Sequence, residues 1–287
     1  FLLGWRFSGS IIDGILAIFN ASLVAGQDLF NIFLIIAFMV MMLKAISVTG
    51  ADELMVKPLK KLMVSPFVSY VVLIVSTYLI SLFFWPTPAV PLIGALLVPV
   101  AIKTGLPPML GAMALAFAGQ GMALSGDVII QGAPGLTAKA AGISEALATR
   151  YGGILSLITG ITAIVLGYLM TRHEVKNPSV ESIAATSDNA NDKGNDIKEH
   201  KYAGILLLIL IIAMVFVVFA MSYFQLKGGD ASALLGGVAA LVTIIASLLV
   251  HKDKAFDVIC DYISDGFVFA FKVMGPIIPI AGFFYLG

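Results

Sequence analysis

The chain has 287 residues, 60% of them hydrophobic and 12% charged, with a formal net charge of zero. Soluble domains carry about 25% charged residues, so this composition, with apolar runs of about 20 residues, excludes a soluble domain and describes a polytopic membrane protein. Strand-like alternation is missing, which excludes an outer-membrane barrel; a neutral chain offers nothing to nucleic acid; and the lone Cys260 can form neither an internal disulfide nor a metal cluster.

In chain order, residues 1–6 read as the tail of a membrane helix, and no initiator Met precedes them. The last run, 266–287, stops without a polar flank, so the expectation is a partial chain. Residues 8–27 are too polar to span. Ile12, Ile15, Leu16, Phe19 and Leu23 share one helical face while Asp13, Asn20 and Gln27 share another, which predicts a helix lying along the interface. Residues 28–48 form the first full crossing. Residues 50–65 follow, with Lys57, Lys60 and Lys61. Residues 67–84 cross next and end at Trp85-Pro86-Thr87-Pro88, a membrane-edge turn. Residues 89–102, with Pro91 and Pro99, are either a thin crossing or half of a hairpin.

Residues 109–124 re-enter the membrane, and 147–170 cross again. Residues 171–201 are polar and without periodicity, and read as a cytoplasmic linker. Two crossings follow at 202–224 and 232–250. Residues 252–265 are amphipathic, and 266–287 form a last crossing carrying Pro276 and Pro279. Lys and Arg counts put 50–65, Lys103, the linker, Lys252 and Lys254 in the cytoplasm, and Pro86 and Lys227 outside; Lys139 and Arg150 also fall outside, against the trend.

Residues 119–142, GQGMALSGDVIIQGAPGLTAKAAG, interrupt this pattern. Gly costs about 1 kcal/mol and Pro about 3 kcal/mol against Ala inside a helix. Unwound backbone at membrane depth persists only where protein or a wet cavity surrounds it. The stretch therefore reads as a broken helix or re-entrant turn that holds a polar ligand. Free N–H groups where its second half begins favour an anion, and carbonyls ending its first half suit a cation. The candidate substrate-binding residues are Gln120, Ser125, Gln131, Gly132 and Thr137. The candidate coupling-ion residues are Gly119, Ser125 and Asp127, the one acid of the stretch. The competing reading makes Asp127 a helix N-cap in water within an ordinary loop. Asp28 and Asp265, at crossing ends, read first as N-caps and second as ion ligands; Asn31 is a weaker candidate ligand. Lys44 and Lys272 read as snorkelling side chains, and Met39, Met41 and Met42 as packing.

Enzyme readings find no support. His173, His200 and His251 all lie in loops or at segment ends, where a membrane serine protease would need an intramembrane His beside Ser125. A GxGD aspartyl site would need Gly where Leu124 stands, and no CxxC, HExxH or Walker pattern occurs. The expectation is a non-enzyme without cofactor, apart from Na⁺ as a coupling ion.

The order amphipathic helix, acidic residue, crossing, Gly occurs twice. At an offset of 237 residues, Phe19 matches Phe256, Asp28 matches Asp265, Phe30 matches Phe267 and Gly50 matches Gly287. Seven crossings separate the copies, so they point in opposite directions, as in inverted-repeat transporters. The layout – interfacial helix, Gly-ended crossing, Pro-bounded short segment, then GQG…SGD…QGAPG – resembles the ion transporter superfamily of gluconate-type permeases, C4-dicarboxylate carriers and sodium/proton antiporters. The Ser-Asn-Thr hairpin triplet of that superfamily is absent from 119–142. The resemblance implies an all-α inverted-repeat fold with broken or re-entrant helices. It implies a first repeat at 1–170, a linker at 171–201 and the start of a second repeat at 202–287. It further implies multi-pass residence in a bacterial inner membrane, a small organic anion and a coupling cation as partners, and a possible homodimer. The expected function is secondary transport coupled to Na⁺ or H⁺. The alternatives are a Na⁺/H⁺-type antiporter using Asp127, and a channel or non-transporting scaffold.

Overall fold

A computed structural model describes residues 1–176 and 201–284, and every regular element among them is helical. The short α1 (Leu2–Ser8) turns at Gly9 into α2 (Ile11–Ser47), which runs unbroken for 37 residues, about 55 Å at about 1.5 Å per residue. Gly50, in the left-handed region, turns the chain into the amphipathic α3 (Ala51–Leu62). Ser65 and Pro66 start α4 (Pro66–Phe84): the Val68 N–H donates to Ser65 Oγ, and the first helical turn has no use for the proline's missing N–H. One residue, Trp85, separates α4 from α5 (Pro86–Lys103). Then α6 (Pro108–Leu115) passes into π-helical turns at Ala116–Ala123. After an irregular stretch come α7 (Gly132–Ala141) and α8 (Glu145–Lys176). The second part comprises α9 (Ala203–Phe224), α10 (Gly228–His251), a 3-10 turn at Lys252–Lys254, α11 (Ala255–Met274) and α12 (Ile277–Phe284).

Side-chain neighbours give the helix directions. Ser69 bonds Thr104 (2.7 Å), and Gly94 lies against Leu115, so α4, α5 and α6 run up, down and up. Tyr70 Oη donates to the Ile164 carbonyl (3.0 Å), while Gly126 lies against Ser156, so α8 descends beside them. Gly229 approaches Asn31 and Gly236 approaches Phe38, so α10 is parallel to α2. Phe33 meets Phe267 at a tilt and Phe271 edge-on, Gly266 lies on the Ala37 carbonyl, and Lys44 pairs with Asp265, so α11 is antiparallel to α2. The buried core gathers along α2, α4, α5, α6, α9 and α10.

Among the described residues, six helical runs are long and apolar enough to cross a membrane: Ile11–Ser47, Pro66–Phe84, Pro86–Lys103, Glu145–Val175, Ala203–Phe224 and Gly228–Met274. The last folds back on itself at Lys252–Lys254, since α10 and α11 oppose each other on α2. Leu155, Ile158, Ile161 and Val165 of α8, and Leu208, Ile212, Val215 and Phe219 of α9, are exposed in rows, as lipid-facing side chains are.

Four expectations change. Residues 8–27 are not a separate interfacial helix. Nothing at Gln27 or Asp28 breaks the backbone ladder, and Gly14, Ala21 and Ala25 are buried, with α1 and α12 against that end. Asp28 and Asp265 are not N-caps, because each sits inside a continuous helix. The boundary drawn at Gly266 moves to Gly275 and Pro276, where a missing proline N–H interrupts the ladder. Lys44 does not simply snorkel, since its ammonium reaches Asp265. The segment 89–102 lies within α5, which is antiparallel to α4 and is itself long and apolar enough to cross. Of the linker, 177–200 lie outside the described residues, as does Gly287, one member of the repeat matching.

Candidate functional site at the helix break

The helix that begins at Pro108 loses its regular register at Ala116, where i→i+5 bonding takes over. Such π turns recur at functional sites. Gly126 is the last residue held by the ladder, its N–H donating to the Met122 carbonyl (2.9 Å). Residues 127–131 carry no helix, and α7 starts at Gly132.

Asp127 closes this gap. It is 4% exposed, Oδ1 accepts from the Ile130 N–H (3.0 Å) and Oδ2 from the Gly132 N–H (2.8 Å). The carboxylate therefore caps α7, in protein rather than in water. The positive end of α7 already holds an anion, supplied by the chain itself. Trp85, 2% exposed, lies across the same point: a Cβ on Gly132 would stand 2.7 Å from its Cη2. Trp85, Gln131 and Gln225 all have positive φ, at 62°, 62° and 54°. A non-glycine residue held there costs about 1–3 kcal/mol, and such strain collects where a site must be held in one shape. Gln131 and Gln225 line one small cavity of about 290 Å³, and Gln131 Oε1 is buried without a partner.

A second cavity, of about 280 Å³, is the polar one. Gln27, Asp28 and Asn31 of α2 form one wall, and Gly132, Gly135 and Lys139 of α7 another. Glu145 and the first turn of α10, at Gly228, Gly229 and Ser232, complete it. Lys139 Nζ lies 3.1 Å from Asp28 Oδ1. The Gly228 N–H donates to the Ile130 carbonyl (2.9 Å), which ties α10 to the break. No side chain caps α10, and the Glu145 carboxylate stands beside Gly228. The cavity thus offers an ammonium, two carboxylates, side-chain amides and a helix N-terminus. Larger cavities, about 850 Å³ between α3, α4 and α9 and about 460 Å³ along α2, have almost wholly apolar walls and suit lipid chains.

The residues singled out from sequence do not gather at one point. Gly132 lines the polar cavity, and Gln131 lines the smaller one. Ser125 Oγ bonds the Gly121 carbonyl (2.7 Å) and Ser156 Oγ (2.8 Å). Thr137 is exposed, its hydroxyl donating to the Ala133 carbonyl. Gln120 is exposed on the π turns, while Gly119 is buried against α4 and α5. Nothing in the sequence marks Gly228, Gly229, Ser232 or Glu145 as a wall, and Lys139 enters there only as a charge outside the membrane. A signal existed: Gln27, Asp28 and Asn31 fall on one face of a helix once no boundary is drawn between 27 and 28.

Fold and site together define an integral, multi-pass, all-α membrane protein. Compared with known proteins, the chain is 36% identical over all 287 residues to a protein of Bacillus subtilis (strain 168) described as "Uncharacterized membrane protein YhfA", and spans 62% of that protein's length. No family model matches, and no solved structure does.

Proposed function

We propose that the chain is part of a secondary active carrier that moves a small organic anion with Na⁺ or H⁺ by alternating access. The observation that carries this reading is the meeting of a helix break and a second helix start on one polar cavity inside an apolar bundle. Carriers of the inverted-repeat type keep their sites at such junctions. Anion chemistry is supported by the guests already there, since Asp127 occupies the start of α7 and Glu145 stands at the start of α10. A substrate carboxylate takes the place of Glu145 at the N–H groups that follow Gly228 in the first turn of α10, with Asn31 as a further donor. The antiparallel contact between α2 and α11, whose sequences match at an offset of 237, supports the inverted repeat and the superfamily resemblance. Antiport through Asp127 has less support, because protonation there would weaken two backbone hydrogen bonds at once.

The test is uptake by proteoliposomes of a radiolabelled panel of mono- and dicarboxylates. At least one is accumulated only under an inward Na⁺ or H⁺ gradient, and Asn31→Leu and Lys139→Ala each cut that uptake at least tenfold. Gradient-independent flux at channel rates, or uptake indifferent to both substitutions, overturns the reading.

A further inference from the structure

Hydroxyls on membrane helices usually satisfy themselves by donating to the carbonyl four residues back. Ser22, Ser76, Thr137, Thr159, Thr162 and Thr243 all do so, at 2.6–3.0 Å. Thr77 and Ser81 do not. They are 0% and 1% exposed, and neither Thr77 Oγ1 nor Ser81 Oγ has a hydrogen-bond partner. They lie one turn apart on the same face of α4, about 17 and 22 Å along it from Pro66.

That face meets the π turns at Gly119. A Cβ there would stand 2.2 Å from Val90 Cγ2, 3.2 Å from Thr77 Cγ2 and 3.5 Å from Ser81 Oγ, so only glycine permits the approach. The return from π to α register leaves two carbonyls competing for one donor, and the Leu124 N–H is shared by the Gly119 and Gly121 carbonyls. Two buried hydroxyls without partners thus stand on the α4 face that packs on the π turns, Ser81 through its Oγ and Thr77 through its methyl, beside a Gly119 carbonyl that has only a share in one donor.

We propose that Thr77 Oγ1, Ser81 Oγ and main-chain carbonyls of the π turns bind a dehydrated monovalent cation of Na⁺ size. The donors are hard, neutral oxygens. Ca²⁺ sites and Mg²⁺ sites draw on carboxylates, and softer metals want nitrogen or sulfur. The residues nearest Gly119 supply neither a carboxylate nor a positive group, so an anion has nothing to balance it. The site lies apart from the polar cavity, and its occupancy does not depend on the carrier reading, because binding is measured without transport.

The protein in nanodiscs is titrated with ²²Na⁺, and its thermal unfolding is followed in NaCl against choline chloride at equal ionic strength. The wild type binds Na⁺ saturably and melts higher in NaCl. Thr77→Val and Ser81→Ala each weaken binding at least tenfold, Thr77→Ser retains it, and Ser76→Ala, whose hydroxyl is already satisfied, leaves it unchanged. Should Thr77→Val fail to fold, Ser81→Ala and Thr77→Ser decide the matter. No Na⁺-specific binding by the wild type, or binding unchanged in Ser81→Ala, overturns the proposal and leaves the two hydroxyls to an internal water.

Discussion

The break at 127–131 and the helices α2 and α11 all carry carboxylates, and they satisfy them differently. Asp127 stands where a helix starts, and its own backbone supplies the donors at Ile130 and Gly132. Asp28 and Asp265 stand in mid-helix, where neighbouring N–H groups are already used, and each has a lysine from a distant segment, Lys139 and Lys44. The first arrangement is local, buried and rigid. The second is long-range and part-exposed, and can be remade when helices move. The proposed carrier function would use both: a break held in one shape and contacts that can exchange.

This contrast can be broken or sharpened by substitution. The largest effect is expected at the break. Asp127→Leu orphans one buried and one part-buried N–H group and should cost about 3–4 kcal/mol in reversible denaturant unfolding, with Asp127→Asn losing about half of that. If Asp127→Leu costs no more than a surface change, the cap is not what holds the break. Next comes the helix pair itself. A Cβ on Gly266 would stand 2.3 Å from the Ala37 carbonyl oxygen, a backbone atom. Gly266→Ala should therefore force α2 and α11 apart and cost about 2–3 kcal/mol in the same assay; a neutral result would mean the two helices already separate freely.

Smaller effects follow for the long-range pairs. Asp28→Asn should change stability by about 1 kcal/mol or less, yet reduce coupled uptake at least tenfold; loss of stability without loss of uptake would make the pair structural only. Lys44→Gln is expected to shift stability by no more than about 0.5 kcal/mol, because Lys44 and Asp265 side chains are 45% and 47% exposed. That small shift should vanish at high salt, and its persistence there would show a pair less exposed than its geometry.

Much of the architecture is legible from residues alone. Apolar runs, Ser65 before Pro66, and Gly50 after a crossing mark helices and their ends, because hydropathy and capping are properties of neighbours in the chain. The same holds for the break, where Gly126, Asp127 and Gly132 announce an interruption and its cap within a few residues of each other. Where helices join end to end, local signals mislead. Asp28 looked like a cap only because a boundary was drawn beside it, and an unbroken helix carries no such mark.

The amino-acid sequence by itself determined an all-helical membrane protein and the position of an irregular, glycine-rich interruption, since both follow from transfer energies and backbone propensities summed over adjacent residues. Tertiary structure alone decided which side chains share a cavity. Gln120, Ser125 and Thr137, close along the chain, point apart, while Asp28, Lys139, Glu145 and Gly228 meet from four helices. The reason is geometric: a helix turns about 100° per residue, so chain neighbours face different ways, and only helix packing brings distant polar groups together.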